Sequence, residues 1–397
     1  MNLLELPREI RDHIYTTIVD PEVNRYTDKH GNTKYTYWHT NLLSVNKQIY
    51  HEARRIFLEQ NSFIKVTTPF PESKEQVHED GVPIVASDLR ADKCTQHSLS
   101  VLIAFPLTGM RTKEDTFIIH VDDLVKFCDS WYHSAADYPE LNENLTLKLT
   151  LRDPLSGTPL DSTPAEKKVL KSMQERLLYP FGRIKNLMRV DVTGIPLPDD
   201  TVVAEMKRVM AIPLGSPAQR LIQATEYKDA GNAALMADRP LEALEHYRKA
   251  WEAMFIVVNG RSRRVYGERY FEVLLNTPPF ENKHGSMVRT ILRVRLVANS
   301  LLAYLKLKDW ETVVHIGMRT ISIMRRGDEN IEPEEEAWGG AWTAGPEMGK
   351  IYYRTALALK EMDDKYEARR LLKVAVLYLP NDQRVHELIR ECALRIL

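Results

Sequence analysis

The feature of this 397-residue chain that most limits its fold is a spacing of small residues that occurs twice in the C-terminal half. Small side chains stand where the two helices of a hairpin would cross, with aromatic or aliphatic side chains between them. The first set is Gly231, Ala243, Tyr247 and Ala250, and the second is Ala356, Ala368, Leu372, Ala375 and Pro380. A period of about 34 residues predicts an array of helical hairpins over residues 217–397.

A third, weaker copy of the pattern is set by Asn299, Tyr304 and Val313. The repeats are expected near 224–257, 294–327 and 349–382, and a capping helix over 383–397. The expected starts at 224, 294 and 349 lie 70 and 55 residues apart, so the helices must be extended or segments inserted. A basic run at 261–264 falls in the first interval and is expected to be a solvated face.

These spacings resemble those of tetratricopeptide repeats. Five polar residues at matching places in the three repeats also match the carboxylate clamp of co-chaperone domains of this family: Lys228, Asn232, Asn299, Lys350 and Arg354. Residues four apart on a helix share one face, so each lysine points the same way as its neighbour one turn later. Lysine supplies a point charge, arginine a planar fork of donors and asparagine an amide without added charge.

The resemblance implies that the C-terminal half binds the Glu-Glu-Val-Asp tail of the 70 and 90 kDa heat-shock chaperones. We therefore expect a non-enzymatic adaptor or co-chaperone. The first interval is most similar to that of immunophilin-type co-chaperones, although no isomerase domain is apparent upstream.

The N-terminal 68 residues resemble the F-box-like segment of fungal proteins, through 6–15 and 42–53. Apolar stripes predict two helices, the first with Leu6, Ile10, Ile14 and Ile18 and the second with Leu42, Val45, Ile49, Ala53, Ile56 and Phe57. A hairpin is expected between them, around 30–32. The resemblance implies docking on the adaptor subunit of a cullin ubiquitin ligase through residues 6–57. The alternative function is thus a ligase substrate receptor, and the structural alternative is a helical pair packed on the middle domain.

Composition and periodicity divide the rest of the chain. Proline and charge over 69–96 predict a linker, and short β-rich runs followed by helical periods predict an α/β domain over 97–215. The overall class is therefore mostly α: a small helical F-box-like unit, an α/β middle domain and a C-terminal tetratricopeptide array with a capping helix.

Catalytic and metal sites have little support in the sequence. The run 345–350 is not a phosphate-binding loop, because Ala344 stands where the motif needs glycine and Ile351 where it needs Ser/Thr. The segment 120–123 could suggest metal or acid/base chemistry, but a strand end followed by a capping aspartate explains it. No cofactor is expected, and an unrecognised enzyme in the middle domain remains a third possibility.

The charge balance, with Lys+Arg 54 and Asp+Glu 55, predicts no affinity for nucleic acid or an anionic membrane. Three dispersed cysteines fit a reducing compartment. No signal peptide or membrane span is predicted, so we expect a cytoplasmic protein, with the nucleus as the alternative.

Overall fold

The computed structural model describes residues 3–28, 33–106, 114–138, 140–154, 170–325 and 343–392. Its contacts divide the chain into two compact units, Met1–Leu214 and Gly215–Leu397. The chain is mostly α-helical, and the first unit also contains a six-stranded mixed sheet. Within the described ranges, no helix is both long enough and apolar enough to span a membrane.

The first unit begins with two helices and an antiparallel hairpin between them, close to the predicted arrangement. The elements are α1 (Arg8–Val19), β1 (Arg25–Thr27), β2 (Thr33–Tyr35) and α2 (Lys47–Gln60). Helix α1 packs against α2, and α2 begins where the Asn46 side chain accepts a hydrogen bond from the Ile49 amide. The predicted turn at 30–32 lies outside the described residues.

The buried face of α1 differs from the predicted apolar stripe. Ile10 is 49% exposed, whereas Arg11, Tyr15 and Val19 are buried. The reason is a polar contact across the helix pair. Arg11 donates to both carboxylate oxygens of Glu52, over 2.9 and 2.8 Å, and burial of this pair turns Ile10 toward solvent.

Glu52 is the polar centre of the α1–α2 contact. Its carboxylate accepts from Arg11 and also from the Tyr15 hydroxyl at 3.1 Å and the Gln48 amide at 3.0 Å. These bonds, with Arg11 first, lower the pKa of Glu52 to about 2. The helix pair is therefore held by an ionised, fully hydrogen-bonded carboxylate as well as by apolar packing.

The six-stranded sheet follows. Its six strands are β3 (Phe63–Thr68), β4 (Ile84–Ser87), β5 (Leu99–Ala104), β6 (Asp115–His120), β7 (Thr146–Arg152) and β8 (Arg189–Ile195), in the order β4-β6-β3-β5-β7-β8. The pairs β3–β5 and β7–β8 are parallel, and the other pairs are antiparallel. Strand β7 alternates between buried leucines and more exposed polar residues, as its sequence predicts.

Two parts of the sheet lie where the sequence predicted other structures. Strand β3 was expected to belong to the N-terminal helical unit, but it is an interior strand. The segment 69–96, expected as a linker, contains two short helices and the edge strand β4, which pairs with β6 through an irregular register. Such a short, irregular strand carries too little periodicity to be recognised from its sequence.

Helices α3 (Ser73–Glu79), α4 (Asp88–Asp92), α5 (Leu124–Asp137), α6 (Lys171–Leu178) and α7 (Asp200–Met210) complete the first unit. Leucine, isoleucine, valine and phenylalanine side chains of the strands and of α5 to α7 form its main core. The β1–β2 hairpin is joined to the region of the sheet by the buried Asp123, which follows β6. Its carboxylate accepts hydrogen bonds from Arg25 at 3.1 Å and from the Tyr35 hydroxyl at 2.7 Å.

The second unit is a succession of helical hairpins. Its helices are α8 (Pro217–Met236), α9 (Pro240–Ala253), α10 (Glu268–Phe271), α11 (Gly285–Lys306), α12 (Trp310–Met324), α13 (Gly345–Glu361), α14 (Lys365–Tyr378) and α15 (Gln383–Glu391). The pairs α8–α9, α11–α12 and α13–α14 each pack together, and α15 packs on α14. Helix α8 begins at a capping box of Ser216 and Gln219.

The three hairpins share one kind of turn. Asp238, Lys308 and Asp363 each stand two residues before a second helix and have φ values of 59°, 59° and 66°. In each turn the next amide donates to a carbonyl five residues back. The turns lie 70 and 55 residues apart, the same intervals as those between the expected repeat starts.

The first interval contains a second hairpin that the sequence analysis did not predict. Strands β9 (Ile256–Asn259) and β10 (Ser262–Val265) pair antiparallel after α9. The two-residue strands β11 (Leu274–Leu275) and β12 (Lys283–His284) precede α11. Helix α11 begins nine residues before the expected repeat start at 294. The excess residues of this interval therefore form inserted strands and a longer helix.

Candidate peptide-carboxylate site

The first helices of the three hairpins provide the predicted clamp residues. Helix α11 packs against α8 on one side and against α13 on the other. Lys228 and Asn232 lie on α8, Asn299 on α11, and Lys350 and Arg354 on α13. Packing of α11 between the other two helices brings several of these side chains together.

The two asparagines are in direct contact. Asn299 Nδ2 donates to Asn232 Oδ1 over 2.7 Å. The hydroxyl of Tyr247, on α9, donates to the same oxygen over 2.9 Å. With Oδ1 accepting both bonds, the amide of Asn232 is oriented, and no described residue accepts from its Nδ2 group. A ligand oxygen can use that donor.

The small residue Gly231 makes this geometry possible. A Cβ atom there would lie 2.3 Å from Cε1 of the Tyr247 ring, far inside van der Waals contact. Tyr247 is only 1% exposed, so its ring has no free space into which to move. Glycine at this position therefore allows α8 and α9 to approach, and the approach brings the Tyr247 hydroxyl to Asn232.

Arg354 contributes a positive charge beside this pair. Its guanidinium donates to the carbonyl of Ala298, the residue before Asn299. No described carboxylate lies within 4.0 Å of it. Burial, with the nearby charge of Arg384, lowers the pKa of Arg354 to about 10. At neutral pH the guanidinium stays charged and lacks a counter-ion, which favours an anionic ligand.

The charge of Arg354 also affects the pKa of the Tyr247 hydroxyl. Burial raises the pKa of its hydroxyl to about 12, and the positive field of Arg354 opposes that increase. The hydroxyl therefore stays protonated at neutral pH and acts as a donor to Asn232. Asn232, Asn299, Tyr247 and Arg354 thus form one polar cluster.

The two lysines lie at the margin of this cluster. The ammonium of Lys228 is 2.9 Å from the Asp229 carboxylate, and Lys350 is exposed. In the described part of the chain, neither lysine bonds to Asn232, Asn299 or Arg354. Each precedes a cluster residue by one helical turn, so a long lysine side chain can swing toward a bound anion.

Two features near the cluster were missed at the sequence level. Arg295, one turn before Asn299, pairs with Glu347 of α13 at 3.6 Å. Arg384 of α15 contributes to the field at Arg354 and pairs with Asp382 at 2.7 Å. The four-residue spacing between Arg295 and Asn299 could have identified the first feature, whereas the proximity of Arg384 depends on the packing of α15.

Other kinds of site have less support in the structure. Among the described residues, no three His, Cys, Asp or Glu side chains come together in a way that could hold a metal ion. His120 is buried and lies 3.1 Å from the Asp122 carboxylate, and burial lowers its pKa. In comparisons with known proteins, no family model, curated protein or solved structure matches this chain.

Proposed function

We propose that the second unit is a tetratricopeptide-type module whose carboxylate clamp binds acidic C-terminal tails. The expected partners are the 70 and 90 kDa heat-shock chaperones, whose tails end in Glu-Glu-Val-Asp. One observation carries this proposal: the joined amides of Asn232 and Asn299 lie beside Arg354, whose guanidinium has no carboxylate partner among the described residues. The protein would act as a non-enzymatic adaptor in the cytoplasm.

The succession of hairpins supports a repeat module. Three helix pairs have the same turn with a positive φ value before the second helix, and their first helices lie side by side in the order α8, α11, α13. In repeat arrays that surface is where extended ligands bind. The five clamp residues belong to these first helices.

The donors suit a ligand with two carboxylates. The amides and the guanidinium supply fixed hydrogen bonds, and the lysines supply adjustable charge. Hydrogen bonds to charged groups contribute roughly 1.5–3 kcal/mol each, while association costs several kcal/mol of entropy and desolvation. A dissociation constant on the order of micromolar, near −8 kcal/mol, is the expected affinity.

Calorimetry with a peptide ending in Glu-Glu-Val-Asp tests the proposal directly. Arg354→Ala should weaken binding by about 2–5 kcal/mol, since it leaves a ligand carboxylate without its partner. Lys350→Ala should cost less, about 1 kcal/mol, because Lys350 is exposed. Lys373→Ala, at an exposed position on α14, is the matched control. Equal binding by a peptide with an amidated C-terminus would contradict the proposal.

A second candidate function has its own observation. The N-terminal segment exposes apolar side chains at Ile10 on α1, at Val45 before α2 and at Tyr50 on α2, which are 49%, 63% and 39% exposed. Exposed apolar side chains contribute to a docking site where they are contiguous, and the expected partner is the adaptor subunit of a cullin ubiquitin ligase. The chain would then be a substrate receptor whose repeats capture an acidic C-terminus.

Co-purification separates the two functions. Pro7→Ala combined with Ile10→Ser should remove the ligase adaptor and leave the chaperone bound, whereas Arg354→Ala should do the reverse. Pro7 and Ile10 are exposed, so the fold should tolerate both changes. Recovery of the ligase adaptor with the doubly substituted chain would show that Pro7 and Ile10 do not form its docking surface, and failure of the parent chain to recover the adaptor would rule out the receptor function.

A further inference from the structure

The inserted hairpin of the second unit forms one wall of an open cavity. The cavity lies among α9, the β9–β10 hairpin, α11 and α12, and has a volume of about 320 Å³. Its walls include Leu244, Trp251, Arg263, Ser300, Tyr304 and Ile316. None of the five clamp residues lines it, although Tyr247, which donates to Asn232, does.

The hairpin is held firmly as one wall of this cavity. Arg289, which is 3% exposed, donates to the carbonyls of Met254 and Tyr266, one on each side of the hairpin. The Tyr266 amide in turn donates to the Phe255 carbonyl over 2.9 Å. These bonds close the base of the hairpin, so the wall is preformed.

Three arginines line the cavity, and two of them have carboxylate partners: Arg248 pairs with Glu245 and Arg261 with Glu311 at 3.2 Å, which leaves Arg263. It lies on β10, with its guanidinium 4.7 Å from the centre of the Trp251 ring. No described carboxylate lies within 4.0 Å of it. Burial, together with the charges of Arg319 and Arg293, lowers the pKa of Arg263 to about 10. The acidic residue of the lining, Glu245, is already paired with Arg248 at 2.6 Å.

Strand geometry explains how a basic run supplies a cavity residue. Successive side chains on a strand point to opposite faces, so Arg263 is half-buried while Ser262 and Arg264 are exposed. The run at 261–264 was expected to be a solvated face, and one of its members is instead turned inward over Trp251.

The chemistry of these walls defines a ligand. A guanidinium forms bidentate hydrogen bonds with a carboxylate or a phosphate, and partial shielding from water strengthens these bonds. Trp251, Tyr304, Leu244 and Ile316 offer apolar and aromatic surface next to it. The volume is at the lower end of the roughly 300–1,000 Å³ of ligand sites. We propose that this cavity binds a small organic anion, a carboxylate or phosphate monoester that carries one compact apolar or aromatic group.

The test of this proposal uses residues other than the five of the clamp. Binding of benzoate and phenyl phosphate to the full chain is measured by calorimetry, with benzamide as the neutral analogue. We expect at least one anion to bind and Arg263→Gln to weaken it about 10–100-fold, the loss of a charge-assisted pair. Arg264→Gln is the matched control from the outward face of the same strand and should bind as the parent does.

Two further measurements keep the test decisive. Arg263→Lys should retain part of the binding, because it keeps the charge but loses the fork. The Tm of Arg263→Gln should stay near that of the parent or exceed it, since a half-buried cation with no described carboxylate partner is removed. Binding of benzoate alone, or of phenyl phosphate alone, supports the proposal and identifies the anionic group. Equal binding of benzamide, equal binding by Arg263→Gln, or no binding of either anion would overturn it.

Discussion

Asn299 donates to Asn232 across the contact between α11 and α8, over 2.7 Å. The accepting oxygen also receives the Tyr247 hydroxyl from α9. Three helices from two hairpins thus meet at one amide oxygen. The orientation of the Asn232 amide is therefore fixed by packing before any ligand arrives, which reduces the entropy that binding would cost.

Tyr247→Phe should separate this orienting role from packing. The substitution keeps the buried ring and removes only the hydroxyl, so Asn232 loses one of its two fixed bonds. We expect tail-peptide affinity to fall about 3- to 10-fold, corresponding to one net hydrogen bond, with a small change in Tm. Tyr366→Phe, at a 71% exposed position, is the control. Unchanged calorimetric affinity would show that the hydroxyl does not orient the site.

Gly231→Ala should damage fold and site together. The added Cβ would lie 2.3 Å from the Tyr247 ring, so α8 and α9 must separate. Overpacking of this kind costs about 1–3 kcal/mol, measurable by urea unfolding, and should weaken peptide binding as well. At Gly345 the same change meets Tyr378 at an ordinary 3.7 Å, so Gly345→Ala should leave stability nearly unchanged. Equal stability of the two variants would argue against the close approach.

Glu52→Gln should unfold the N-terminal helix pair more easily, because it leaves the buried Arg11 without a counter-charge. A loss of about 3–5 kcal/mol at neutral pH is expected. The combined change Arg11→Met with Glu52→Leu should recover most of it. Urea unfolding of the three chains provides the comparison, and a double variant as unstable as the single one would contradict the role of the ion pair.

The same pair predicts a dependence on pH. The folded pKa of Glu52, about 2, lies below its ordinary value of 4.5. Its stabilisation is therefore fully present above pH 4.5 and is lost as the pH falls toward 2. The difference in unfolding free energy between the parent and Glu52→Gln should shrink over that window. A constant difference would mean that Glu52 is not held ionised.

His97 should make stability depend on pH in a range above that of Glu52. Burial and the nearby Arg152 lower its pKa to about 4, from an ordinary 6.5. The unfolded chain therefore binds more protons between pH 6.5 and 4, and stability should fall by about 2–3 kcal/mol across that range. In His97→Gln this loss should be absent, whereas His13→Gln, at an exposed position, should retain it. Parallel unfolding curves for both variants would disprove the assignment.

The helical segments were predictable where one face is apolar throughout. The turns at Asp238, Lys308 and Asp363 lie at the spacing that the small residues indicate, because close helix crossings leave a direct trace in residue size. The prediction of the buried face of α1 was wrong, because a pattern of apolar residues gives no weight to a buried Arg11–Glu52 ion pair. The edge strand β4 was missed because four irregularly paired residues show no period.

The candidate site was predictable in part for the same reasons. The spacing of four residues puts Lys228 and Asn232 on one helix face, and likewise Lys350 and Arg354, so these pairs can be predicted without knowledge of the tertiary structure. The bond from Tyr247 to Asn232 and the inward turn of Arg263 depend on contacts between segments far apart in sequence. Periodicity within one segment cannot supply such contacts.

The interior position of β3 means that the N-terminal 68 residues cannot be separated from the rest of the sheet. Strand β3 follows directly after α2 and lies between β6 and β5. Removal of residues 1–68 would remove β3 from the middle of the sheet and leave β4–β6 and β5–β7–β8 as two separate parts with unpaired backbone edges. A fragment that ends at residue 68 would therefore not be an independent N-terminal domain, since it contains an interior strand of the sheet.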